Sequence, residues 1–286
     1  VTALADMGAG SASATSAGKS GPRFLRTLPS ADMLESLAYR FAITPGDTTL
    51  MEIDAALYPR KEIERLGIAP CTSMYQTGEN DRRKANDWRP EIHDSDGLSI
   101  NTGSGEWLWR PLRNPRALSF NAFADRGPRG FGLLQRDRDF ANYQDDGVFY
   151  ERRPSLWVEP KGDWGAGAID LVEIPTIDET FDNIVAFWNP ADKPKPGAEM
   201  LFGYRLYWCR EAPSQPPLAR CVATRTGIGG VIGKKRERFS WRFAVDFAGG
   251  DFALVDSSTK VEPVISVSRG KVEITSARPL DAVHGW

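Results

Sequence analysis

The chain has 286 residues, 41% of them hydrophobic, enough to bury a sizeable core in one large domain or two unequal ones. Its 36 Lys and Arg nearly balance 38 Asp and Glu for a net charge of −2, so no overall field recruits nucleic acid or an anionic membrane surface. No run approaches the roughly 18 apolar residues of a spanning helix, and the Ala, Ser and Gly-rich start lacks the basic stretch and apolar run of a signal peptide. Residues 1–21 are expected to be unstructured.

From there the pattern is that of strands: short β-branched and aromatic runs separated by Gly, Pro, Asn and Asp. In chain order they are "LAYRFAI", "LMEIDAALYP", "GLSINTG", "EWLWRPL", "ALSFNAFA", "GFGLLQRD", "SLWVEP", "GAIDLVEIP", "NIVAFWNP" and "EMLFGYRLYWC". "RKEIERLG" is the one short stretch with helical spacing. Many strands at short intervals predict an all-β sandwich over residues 22–210. The proline-rich segment at 211–220 reads as a linker. Beyond it, "CVATRT", "RFSWRFAVDFAG", "VEPVISVSRG" and "KVEITSARPL" read as strands of a smaller, partial β domain over 221–286. The basic, glycine-rich "IGGVIGKKRERF" within it is either a loop that reaches over a neighbouring site or a solvated connection.

Three cysteines do not have zinc spacing. Cys209 and Cys221 flank the linker and are either a disulfide or two unpaired thiols, while Cys71 in "GIAPCTSM" reads as a small buried residue. No phosphate loop, dinucleotide fingerprint or nucleophile elbow is evident.

Two stretches concentrate acids. "RPEIHDSDGLSINTGSGEWLWRPL" carries Glu91, His93, Asp94 and Asp96 ahead of Trp107, Trp109 and Arg110. "PTIDETFDNIVAFW" sets Asp178, Glu179 and Asp182 just before an apolar run. Nine tryptophans, many beside charged residues, suit a carbohydrate cleft, where flat rings cover the C–H faces of sugars and charged groups bond the hydroxyls; tryptophans that fill a sandwich core give the same signal. Glycoside chemistry needs two carboxyl groups, one of them held protonated. Asp182, beside Phe181 and close to two other acids, fits that proton donor through desolvation and like charge, against the plainer reading that Asp178 and Asp182 cap turn N–H groups. His93 lacks a second histidine at ligand spacing, so it is expected to be structural rather than a metal ligand. The alternating arginines and aspartates of residues 136–153 form either an ion-paired cleft wall or a solvated loop.

Together with "GIAPCTSMYQTGEND" and the block from "GFGLLQRDRDF" to "NIVAFW", these motifs resemble the osmoregulated periplasmic glucan biosynthesis family (OpgG/OpgD, MdoG/MdoD), from about Leu37 onward. The resemblance implies the C-terminal part of a large galactose-mutarotase-like β-sandwich, followed by a truncated immunoglobulin-like β domain. It also implies a periplasmic location, although this chain shows no export signal, and anomer-inverting hydrolysis or transglycosylation of β-1,2-glucan without a cofactor or metal. Carried over by position, Asp94 is the general base and Asp182 the general acid. Glu179, Tyr150, Tyr75, Trp107, Trp109 and Arg110 are the sugar-binding set, Glu179 and Tyr150 lying near the proton-relay network. A base that works through intervening hydroxyls permits a carboxyl separation longer than the roughly 6.5–9.5 Å usual for inversion. "IGGVIGKKRERF" matches a loop that helps cover the cleft, in a homodimer that of the partner. The alternative function is a noncatalytic glucan-binding or scaffolding protein.

Overall fold

The computed structural model describes residues 13–15, 23–28, 35–79, 86–231, 233–256 and 258–286. The strands in chain order are β1 (Ser13–Thr15), β2 (Arg23–Leu28), β3 (Glu35–Thr44), β4 (Thr49–Pro59), β5 (Ile68–Ser73), β6 (Tyr75–Thr77), β7 (Ile92–His93), β8 (Gly97–Asn101) and β9 (Trp107–Pro111). They continue with β10 (Ser119–Arg126), β11 (Gly130–Leu134), β12 (Ser155–Lys161), β13 (Ala166–Glu173), β14 (Ile184–Pro190), β15 (Met200–Cys209), β16 (Arg220–Ile228) and β17 (Trp241–Ala248). One short helix, α1 (Phe140–Tyr143), is capped by the Asp139 carboxylate, which accepts from Ala141 N. The all-β expectation is met.

The chain divides into two compact units between Pro213 and Ser214. In the first, a nine-stranded sheet runs β1-β2-β3-β4-β15-β12-β11-β8-β9, and a four-stranded sheet runs β10-β13-β14-β5. Every pairing in both sheets is antiparallel. Leu98, Ile100, Phe131 and Val158 of the larger sheet join Ile68, Ile169, Leu171, Ile184 and Trp188 of the smaller in a single buried cluster. Each such side chain, fully buried, is worth about 1.5–3 kcal/mol. β14 is buried along almost its whole length because β13 and β5 flank it, which is why its sequence is a continuous apolar run. β10, at the edge of the smaller sheet, alternates half-buried and exposed positions along its length, the period-two signature of a strand covered on one face.

Three sequence expectations differ from the structure. Residues 60–67 form no helix: Ile63 and Leu66 are buried in the sandwich core, and docking those two side chains fixes the path of a segment too short to be stable as an isolated helix. "VEPVISVSRG" and "KVEITSARPL" carry strand-like patterns but form no strand. Val264 and Ile274 are 98% and 80% exposed, because a strand needs a neighbouring ladder to bond. Within residues 1–21, Ser13–Thr15 pairs with β2, and the rest of that segment lies outside the described residues.

In the second unit β16 and β17 form an antiparallel hairpin, and Trp286 and Phe247 exchange backbone N–H···O bonds of 2.9 and 2.7 Å. Cys71, Cys209 and Cys221 are all free thiols, so the disulfide alternative is not taken. Cys71 is fully buried, and burial pushes its thiol up to about 12.

Candidate functional site

The acids are brought together by a small ladder and a stitched loop. β6 and β7 pair with Tyr75 opposite His93, and Asp94, the next residue, donates its N–H to Met74 O at 2.9 Å. Beneath them Met74, Ile92, Tyr143 and Tyr150 make a second small apolar cluster. The loop between β13 and β14 carries Asp178, Glu179 and Asp182. Asn114 ties that loop to β6 by donating to Gln76 O at 3.1 Å and Thr176 O at 2.8 Å. Buried Asn183 completes the attachment: its Oδ1 accepts from Tyr75 N at 2.8 Å, and its Nδ2 donates to Tyr75 O at 3.0 Å and Ile174 O at 2.9 Å. Asp182 and Asp94 are thus joined through one amide side chain and two residues of backbone.

At the centre, Glu179 Oε2 accepts from Tyr150 Oη at 2.6 Å and from the Arg89 guanidinium at 2.7 Å. The same Arg89 nitrogen donates to Asp145 at 2.8 Å, and the guanidinium clasps Asp87 through bonds of 3.1 Å. Arg153 Nε lies 3.0 Å from Asp94 Oδ1, at an angle that makes an ion pair but no hydrogen bond. Burial pushes the Asp94 carboxyl up; Arg153 opposes this, and the charges of Asp182 and Glu179 reinforce it. Burial and the bond to Glu179 likewise raise the Tyr150 phenol. Asp182 itself is exposed and Phe181 is 64% exposed, so the desolvation expected at Asp182 falls on Asp94. Asp178 is a turn residue whose carboxylate accepts from Thr180 N at 2.8 Å and is held below its usual range by the Thr180 hydroxyl and N–H.

The remaining expected residues sit as follows. Tyr75 is 3% exposed and stacks on His93 with ring centroids 5.2 Å apart. A Cβ on Gly78 would come within 2.3 Å of the Tyr75 hydroxyl, so only glycine leaves room for this ring. Trp107 stacks on Trp157 at 5.8 Å, and Trp109 lies beneath the Arg136 guanidinium at 4.3 Å. Arg110 bonds the fully buried Glu173 at 2.9 Å, a carboxylate that also accepts from Arg113 N at 3.0 Å. These three residues on β9 are held by sheet contacts, whereas Asp94, Tyr150, Glu179 and Asp182 converge. The alternating charges of 136–153 are largely engaged. Arg138 donates to the carbonyls of Glu151 at 3.0 Å and Arg210 at 3.0 Å, Asp145 holds Arg89, and Arg153 faces Asp94.

His93 is part of the scaffold under the site. Its Nδ1 faces Gln135 Oε1 at 3.0 Å and its Nε2 faces Glu91 at 2.9 Å. The Gln135 amide nitrogen donates to His93 O, Tyr143 Oη and Tyr150 O, which fixes its oxygen toward the imidazole. Both ring nitrogens therefore face acceptors, and His93 is an imidazolium. Burial by itself lowers its pKa, but the bond and charge of Glu91, the charge of Asp96 and the bond to Gln135 together raise it. Glu91, His93 and Asp96 also have potential metal-ligand atoms within 4.8 Å of one another, but the imidazole nitrogens are already committed. Because the folded value is raised, this group contributes full stability below the ordinary imidazole value and loses it as pH rises through the folded value. Stability is expected to fall from about pH 6.5 upward, by at most about 1.4 kcal/mol for each pH unit, and less steeply in His93→Gln. Calorimetry across that range checks this, and a His93 that titrates at the ordinary imidazole value by NMR contradicts it.

The sequence reading missed Arg89, Asn183 and Gln135. The signal for Arg89 was its place in "DWRP", between an acid two residues back and the acid-rich motif ahead.

The fold and site define an all-β protein of two antiparallel sheets with an acid-rich centre on the loops around β6 and β7. The chain belongs to the family described as periplasmic glucan biosynthesis protein, MdoG, which it matches over residues 35–286. It is 73% identical over 249 residues to glucans biosynthesis protein D of Stenotrophomonas maltophilia (strain K279a), covering 87% of this chain and 47% of that protein. Proteins of the same name from Xanthomonas campestris pv. campestris and Xanthomonas axonopodis pv. citri are each 69% identical over 251 residues, with the same coverage of 87% and 47%. The chain spans about half the length of these curated relatives.

Proposed function

We propose that this chain acts in periplasmic glucan biosynthesis by cleaving or transferring β-1,2-glucan with inversion at the anomeric carbon. Asp182, protonated, delivers its proton to the glycosidic oxygen as the C–O bond breaks. Water adds to the opposite face of the anomeric carbon, and its proton passes to Asp94 through an intervening hydroxyl. The observation that carries this reading is the convergence of Asp94, Tyr150, Glu179 and Asp182 from distant parts of the sequence, with Asp94 raised by burial and by the charges of the other two acids. A raised carboxylate is the stronger base, and Arg153 keeps it anionic. Glu179, tied to Tyr150 and Arg89, is placed to bond a sugar hydroxyl. A sugar laid against Phe181 would supply to Asp182 the desolvation that the free site lacks.

The same reading takes the first unit as part of a galactose-mutarotase-like sandwich and the second as part of an immunoglobulin-like domain, in a periplasmic protein that assembles as a homodimer. A noncatalytic glucan-binding protein is the second reading, favoured by the exposure of Asp182. Incubation with linear β-1,2-glucan separates them: release of reducing ends supports catalysis, and tight binding without release supports the binder.

A further inference from the structure

The geometry points to Trp88 as a sugar-stacking platform at the rim of the site, its indole covering the C–H face of a glucose unit bound beside Glu179. This rests on the glucan reading above. Trp88 is 69% exposed, the most exposed tryptophan among the described residues. Its backbone is nonetheless held firmly. Asp87 Oδ1 accepts from Arg89 N at 2.9 Å and Arg89 Nε at 3.1 Å, so the two neighbours of Trp88 clasp each other across it. Arg89 is anchored in turn on Asp145 and Glu179, and its side chain is only 12% exposed.

The Trp88 ring centroid is 5.7 Å from Arg89 Cζ, and that guanidinium bonds Glu179 at 2.7 Å. The ring therefore stands one guanidinium away from the acid centre. A core role is excluded by its exposure. A role as partner to Arg89 alone leaves most of the indole in water, since the guanidinium already donates to three carboxylates.

Isolated exposed hydrophobics need no explanation, but Trp88 is not isolated. On the loop that carries Glu179 and Asp182, Ile177 and Phe181 are 92% and 64% exposed. Open apolar surface thus occurs on both segments that supply the acid centre, as a ligand with apolar faces and hydroxyl edges requires. The β9 tryptophans contrast with this, because their faces are taken by Trp157 and Arg136.

The test compares the whole chain with Trp88→Ala and Trp88→Phe, using linear β-1,2-glucan as the probe. Affinity is read by calorimetry, and KM and kcat by reducing-end release. The alanine variant is expected to weaken binding and raise KM about tenfold with kcat little changed, and the phenylalanine variant to recover most of the loss. Circular dichroism should be unchanged, since an exposed ring is removed. An alanine variant that binds as the wild type does overturns the platform while leaving the glucan reading in place. A wild-type chain that neither binds nor cleaves the glucan overturns that reading, and the platform with it.

Discussion

Asp182→Asn is expected to lower turnover of linear β-1,2-glucan by about 10²–10⁴-fold, the usual contribution of a general acid, with glucan affinity unchanged within about twofold. The substitution preserves shape and hydrogen-bonding reach but removes the transferable proton. Because Asp182 is exposed, the fold loses nothing that calorimetry would register. Loss in kcat rather than KM is the mark of an interaction made only in the transition state. Wild-type turnover in this variant would move the acid role elsewhere, with Glu179 the nearest candidate by charge.

The second large effect is expected at Asn183. Replacing it by alanine leaves Tyr75 N, Tyr75 O and Ile174 O without their side-chain partner at a position that is 2% exposed. Unsatisfied buried groups cost about 1–3 kcal/mol each, and with partial relaxation the total should reach about 2–5 kcal/mol. The same change frees the Asp182 loop from the strand that leads to Asp94, so kcat should fall together with stability. Urea unfolding and kinetics on the same sample read both effects. An unchanged midpoint would show that Asn114 and Gln76 hold the loop without it.

The strand order of the sandwich was legible where apolar runs were long. "NIVAFW" is β14, buried on both faces, and "EMLFGYRLYWC" contains β15 in the interior of the larger sheet. β5 was not legible, because Pro70 interrupts its pattern. The strand tolerates that proline at an exposed position on the edge of the smaller sheet. The C-terminal stretches misled for the opposite reason: period-two apolar residues describe a strand only when another strand lies beside them.

At the site, Asp94, Glu179 and Asp182 could be found as acids in unusual company. Their convergence came from the family resemblance, since no spacing along the chain records a contact between residues so far apart. What physical reasoning on the sequence misplaced was the burial. Phe181 next to Asp182 suggested an apolar pocket, but adjacent residues on an open loop need not shield each other, and Phe181 points into solvent. Arg89, Gln135 and Asn183 act through hydrogen bonds to partners dozens of residues away, and such roles leave almost no local trace.

The central claim is inverting cleavage by Asp182 and Asp94, and the anomeric configuration of the first products tests it most directly. Proton NMR of linear β-1,2-glucan, followed from the moment the chain is added, is predicted to show α-configured reducing ends that later equilibrate with the β form. First products in the β configuration, or intact glucan after prolonged incubation with the folded chain, would contradict inversion by this pair.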